Sequence, residues 1–204
     1  MSSRFVWADD AAGDVVASVL AAPPTLGAGR LVCVDGPSGA GKTTLAAALD
    51  RGFRDALRSP GVAADRAHVR VLHMDNLYAG WDGLDAGIAT LVEEVLGPLR
   101  RGAPGRYRRY DWHRDRWAEE RVVEPCEVLV VEGVGSAPSA CAEAVTCLVW
   151  VETPSDVRLE RGVRRDGEQV RDLLHGWRAQ EQEMFTRERT RQRADVVVDA
   201  TRSA

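Results

Sequence analysis

Short apolar runs and stretches of helical period alternate along this chain. Residues 31–35 (Leu-Val-Cys-Val-Asp) form a nearly continuous apolar run that stops at Gly36, the pattern of a strand buried on both faces. From Gly41 onward Leu45, Leu49, Phe53 and Leu57 fall on one helical face, so a helix follows directly. The same reading predicts strands over 69–74, 128–132, 148–151 and 196–198. It predicts a helix over 88–99 and a long amphipathic one marked by Val170, Leu173, Leu174, Trp177 and Met184. Strands alternating with helices predict an α/β fold: a doubly wound, three-layer domain with a mostly parallel five-stranded sheet and helices on both faces.

This domain is expected over residues 30–204. Residues 1–29 read as an N-terminal extension, in which Ala12, Val15, Val16, Val19 and Leu20 recur at helical spacing until Pro23-Pro24 stop the helix. Packing against the outside of the sheet is the expected use of that short helix.

Composition narrows the function without choosing it. At 204 residues the chain is long enough for one such domain with a substantial core. Its 27 Lys+Arg against 31 Asp+Glu give a net charge of −4, which argues against a nucleic-acid partner. The four cysteines have no C-x-x-C spacing and lie in or beside apolar runs, so buried thiols are expected rather than zinc or disulfides. No apolar stretch reaches membrane-spanning length, and a soluble, cytoplasmic protein without a membrane partner is expected.

The strongest chemical signal lies between the first strand and helix of the domain. Gly36-Pro37-Ser38-Gly39-Ala40-Gly41-Lys42-Thr43 matches G-x-x-x-x-G-K-[ST] in full. Glycines let the backbone curl so that successive N–H groups converge on phosphate oxygens, and the following helix aims its positive end at the same anion. Gly36, Ser38, Gly39, Ala40, Gly41, Lys42, Thr43 and Thr44 are therefore the candidate nucleotide-binding residues. Lys42 reaches the β- and γ-phosphates, and Thr43 offers its hydroxyl to Mg²⁺.

Such a loop serves kinases, GTPases and ATPases alike, so its company matters. Asp75 ends the second strand, at the end of the sheet where ligands bind, and can take the proton of an attacking hydroxyl or hold a magnesium-bound water. A turn or helix-capping aspartate is the plainer use of that residue. Glu132 ends the apolar run 128–132 beside Gly133, the place of an acid that acts through Mg²⁺. Over about 154–170, Arg161 and Arg165 share one helical face, as in a helical lid that brings positive charge to a phosphoryl group. A solvated basic helix would carry the same spacing, and the order of the preceding elements favours the lid. Arg106-Tyr-Arg-Arg-Tyr110 is compatible with an exposed loop or with an acceptor that already bears a phosphate.

Together these segments resemble the uridine kinase family of P-loop kinases over about residues 30–200. The likeness rests on the phosphate loop, Met74-Asp75-x-x-Tyr78, Tyr110-Asp111-Trp112, Glu132-Gly133 and the arginine segment ending at Asp166. It implies transfer of the γ-phosphoryl of ATP, with Mg²⁺, to the 5′-hydroxyl of a pyrimidine nucleoside. Asp75 would be the base, Thr43, Asp75 and Glu132 the metal partners, and Arg161 and Arg165 lid cations beside Lys42. Tyr78, Tyr110, Trp112 and His113 would bind the nucleoside with Asp75. Leu77 stands where the family usually has Phe, Trp81-Asp82-Gly83-Leu84-Asp85 replaces a proline-containing segment that holds the ribose, and His113 sits closer to Trp112 than the family histidine. These departures all fall on the acceptor side. A nucleoside monophosphate, pantothenate or sugar-type acceptor is the alternative within the class. A nucleotide-binding switch or regulatory ATPase is the alternative outside it, and no N-K-x-D guanine-reading segment supports it.

Overall fold

The computed structural model describes residues 4–58 and 68–201, with side chains from residue 11 onward. The two ends of the expected segments, residues 1–3 and 202–204, lie outside the described residues. Six parallel strands form the main sheet in the order β1-β8-β7-β2-β6-β3. These are β1 (Arg4–Trp7), β2 (Arg30–Asp35), β3 (Val69–His73), β6 (Val128–Glu132), β7 (Val145–Glu152) and β8 (Val196–Asp199). The five strands expected of the domain are all present. The sixth, β1, is added at the edge by the N-terminal extension, pairing Arg4–Trp7 with Val196–Asp199.

Strand alternation divides the core into two apolar layers. Val32, Val34, Val128, Val130, Val149 and Val151 face one side, where Val15 and Val19 of α1 (Ala8–Ala21) and Leu45, Leu49 and Phe53 of α2 (Lys42–Ala56) cover them. Leu31, Cys33, Leu129, Val131, Leu148 and Trp150 face the other side, against Leu91, Val95 and Leu99 and against Trp177 and Met184. Leu91 and Val95 lie in the π-helical turn Leu91–Leu96 that continues α3 (Leu84–Thr90), and Leu99 lies in α4 (Gly97–Arg100). The last two lie on α6 (Arg171–Glu188). Each buried strand residue therefore has a partner layer, which explains why the strands read as unbroken apolar runs. Leu173, counted on the apolar face of α6, is instead exposed. Helix α1 packs on α2 and against β1, β8 and β7 on one face of the sheet.

Two further elements leave the sheet and shape the site. β4 (Gly105–Asp111) and β5 (Arg116–Val123) form a separate antiparallel hairpin, held by cross-strand pairs such as Arg106–Glu120 and Arg109–Glu119. Helix α5 (Ser155–Asp166) follows β7 and crosses above the phosphate loop. No helix among the described residues is long and apolar enough to cross a membrane. All four cysteines are free thiols, and burial pushes Cys147 up to about 12.

Candidate active site

At the carboxyl ends of β2, β6 and β3 the chain encloses a cleft of about 800 Å³. Its floor is the phosphate loop. Gly36 has φ +141°, and a Cβ there would stand 2.1 Å from the Val151 carbonyl oxygen, so only glycine lets β2 turn away at this point. Gly41 begins α2 in the left-handed region with no side-chain cap and no acid in the first turn. The first amides of α2 are thus left for an anion. Ser38, Gly39, Gly41, Lys42, Thr43 and Thr44 line the cleft, while Ala40 is buried beneath them.

Lys42 is nearly buried, and its Nζ donates to the carbonyls of Gly36 (2.7 Å) and Pro37 (2.9 Å). Those bonds keep the ammonium extended along the loop. Thr43 Oγ1 donates to Glu132 Oε1 at 3.2 Å, and His73 Nδ1 lies 2.6 Å from the same oxygen. Gly133, with φ +138° and Met74 where its Cβ would stand, brings the end of β6 directly against the turn that holds Asp75. Asp75 lines the cleft from the helical turn Met74–Asn76 and presents its surface to the cavity. Enclosure by the cleft walls and the neighbouring Glu132 raise its pKa above the ordinary aspartate value, against the opposing charges of Lys42, Arg165 and His73.

Thr43, Glu132 and Asp75 thus converge as the sequence predicts. Among the described residues no group of three or more His, Cys, Asp and Glu could hold a metal ion by itself. That donor set fits Mg²⁺, which takes one or two carboxylates and completes its shell with substrate phosphates and water.

Arg165 also lines the cleft, paired with Asp166 at 2.6 Å. Arg161 does not line it. Its guanidinium donates to the carbonyls of Gly39 and Ala200, both at 3.4 Å, so it braces the phosphate loop from behind. Helical spacing had placed both arginines on one face, and the docking of α5 separates their tasks. Arg158, which the spacing did not single out, donates to the Ser38 carbonyl (3.2 Å) and to Glu181 Oε1 (3.1 Å).

Aromatic side chains form the opposite wall. Tyr78, Trp112 and His113 line the cleft as expected, joined by Trp81 and Trp177. Trp81 stands edge-on to Trp112 and to Trp177, with ring centroids 5.5 and 6.3 Å apart. Tyr110 is behind this wall, packing edge-on against Trp112 and donating its hydroxyl to Asp115. The Tyr78 hydroxyl, fully buried, donates to the Val134 carbonyl. In the sequence Trp81 marks only the start of the segment that replaces the family's ribose-holding one, and Trp177 is only part of an apolar helical stripe. Neither Asp82 nor Asp85 lines the cleft: Asp82 receives Gln180, and Asp85 pairs with Arg187 at 2.8 Å. Arg106, Arg108 and Arg109 lie on the hairpin outside the cleft.

One buried carboxylate had no place in the motif reading. Asp35 accepts the N–H groups of Gly36 (2.7 Å), Gly135 (2.9 Å) and Ala137 (3.1 Å), stitching the phosphate loop to the segment after β6. Burial pushes its pKa up to about 6, against those three donors and Lys42. An acid whose pKa is raised on folding loses stability as pH rises: the unfolded chain releases its proton first, near 3.8, and the full cost is present above about 6. About two pKa units correspond to about 3 kcal/mol. Urea unfolding of the wild type and Asp35→Asn at pH 4 and pH 7 should show the wild type losing roughly that much relative to the variant. A difference independent of pH would mean that Asp35 holds no such proton.

Comparison with known proteins agrees with this geometry. No curated protein sequence matches the chain. Among solved structures, a "possible uridine kinase" from Bacillus stearothermophilus matches with a TM-score of 0.64 and 21% identity, over 94% of this chain and 98% of that one. A candidate fructose transport system kinase from Silicibacter sp. TM1040 matches with a TM-score of 0.62 and 19% identity, over 91% and 97% of the two chains. At these identities both show a shared fold. The sequence itself matches the phosphoribulokinase/uridine kinase family over residues 31–203, from the first residue of the buried run before the phosphate loop to beyond the last strand. The chain therefore belongs to the phosphoribulokinase/uridine kinase family and is a P-loop kinase.

Proposed function

We propose that this kinase transfers the γ-phosphoryl of ATP, with Mg²⁺, to the 5′-hydroxyl of a pyrimidine nucleoside. One observation carries the reading: Tyr78, Trp81, Trp112 and Trp177 line the same cleft as Lys42, Thr43 and Asp75. Rings of this kind suit an acceptor with a flat, polarisable face, and a nucleobase has one where a sugar or pantothenate does not. The hairpin arginines lie outside the cleft, so their clustering lends no support to a phosphate-bearing acceptor.

The roles follow from position. The phosphate loop binds the triphosphate through its amides, and Lys42 exchanges its two loop carbonyls for phosphate oxygens. Thr43, with Glu132 and Asp75, would hold magnesium, which would supply neutralisation of charge on the phosphates. Asp75 accepts the proton of the attacking hydroxyl, a task that its raised pKa suits better than that of an ordinary aspartate. Arg165 faces the transferred group from α5, where it offsets developing negative charge and helps to exclude water. His113, which follows Trp112 and lines the cleft with it, is the polar group offered to the edge of the base.

The test is ADP formation from ATP in the presence of uridine, cytidine, nucleoside monophosphates, pantothenate and fructose. Stimulation by uridine or cytidine above water-driven hydrolysis is expected. A response to fructose or pantothenate alone would remove the nucleoside, and no response to any acceptor would remove the transfer role.

A further inference from the structure

We propose that Trp112, besides lining the cleft with its ring, is a positioning residue for Asp75 and acts on it through its indole N–H. The inference rests on the reading of Asp75 as the base. Trp112 Nε1 donates to the Asp75 main-chain carbonyl at 2.7 Å, across 37 residues of sequence. Asp75 sits in a single helical turn, closed by Leu77 N to Met74 O at 2.8 Å, where little other regular structure fixes its carbonyl. A second link from the same hairpin, Tyr107 to Asn76, reaches that turn.

The donor is itself held. Tyr110 packs edge-on against the Trp112 ring at 5.7 Å and Trp81 at 5.5 Å, so the indole has a neighbour on two sides although it is 36% exposed. The hairpin that carries it is separate from the main sheet. An acceptor that packs on Trp112 is therefore held by the residue that fixes the group receiving its proton. Proton transfer needs a base within hydrogen-bond reach, and small misplacements are costly in rate. A ring that merely stacked on the acceptor would have no use for this bond.

Trp112→Phe keeps an aromatic face and removes the donor. With whichever acceptor stimulates the wild type, kcat should fall about three- to tenfold while the acceptor KM stays within about twofold, the range of one neutral hydrogen bond. A raised KM at unchanged kcat would make Trp112 a stacking wall only, and unchanged values of both would remove it altogether; either overturns the proposal. The second measurement needs no acceptor. Amide hydrogen exchange at Asn76 and Leu77, measured on the enzyme without substrates, should quicken about three- to tenfold in the variant. Unchanged exchange there overturns the positioning role whatever the acceptor proves to be, and failure of the nucleoside reading leaves that measurement standing.

Discussion

Asp75→Asn should lower phosphoryl transfer by about 10²–10⁴-fold while leaving ATP binding within a few-fold of the wild type. The carboxylate lines the cleft beside the phosphate loop, whereas the proposed reading gives the nucleotide to the loop's main-chain amides, Lys42 and Thr43. An amide of the same shape cannot accept the proton, and it relieves the repulsion that Asp75 feels from Glu132. Single-turnover transfer and equilibrium ATP binding, measured on the same preparation, separate the two effects. The pH dependence supplies a second check. Because enclosure and Glu132 raise the Asp75 pKa, the acid limb of kcat/KM should lie above the ordinary aspartate value, with activity falling as pH drops through it. Transfer by the variant within tenfold of the wild type would take the base role from Asp75.

The parts of this site that were legible in the sequence are those where backbone geometry leaves one residue type. Gly36 must be glycine because the Val151 carbonyl occupies the place of a side chain, and such constraints write a motif with fixed spacing. Glu132 was legible for a related reason: β6 is buried on both faces and apolar up to its last residue, so an acid there stands out. Asp75 follows a strand that carries Arg70 and His73, and only its place at the carboxyl end of the sheet singled it out. What escaped depends on how elements dock. Trp81 lies on a short turn and Trp177 on α6, and only the packing of that helix over the sheet brings them to one wall. Arg161 and Arg165 share a helical face, yet α5 settles so close to the phosphate loop that a Cβ on Gly39 would be 2.7 Å from the Arg158 carbonyl oxygen. At that approach Arg161 reaches loop carbonyls and Arg165 the cleft. The hairpin was missed because β5 is exposed along nearly its whole length and the alternation of β4 is interrupted by a register shift between Arg108 and Tyr110. Strand β1 is four residues long and pairs only at the sheet edge, too short for a period to emerge.

Glu181→Ala should destabilise the fold by about 3–5 kcal/mol, the usual cost of leaving one member of a buried ion pair alone. Glu181 is 3% exposed, and its two oxygens do different work: Oε1 pairs with Arg158 at 3.1 Å and Oε2 accepts the Ser38 N–H at 2.9 Å. Burial raises the Glu181 pKa and lowers that of Arg158, so for each partner desolvation outweighs the attraction of the other. The pair is therefore a poor source of net stability, and its value lies in geometry: α5 and α6 grip both the N–H and the carbonyl of Ser38 inside the phosphate loop. Truncating Glu181 leaves a half-buried guanidinium and an amide without its acceptor. Glu181→Gln keeps an acceptor for Ser38 and should cost less, about 1–3 kcal/mol. Arg158→Met combined with Glu181→Met removes both charges, and its loss should fall well short of the sum of the single substitutions. Urea unfolding of the wild type, Arg158→Met, Glu181→Met and the double variant measures the coupling. Additive losses would mean that the two side chains stabilise the loop independently, whereas a large coupling energy would show that the phosphate loop is held in shape by one buried pair.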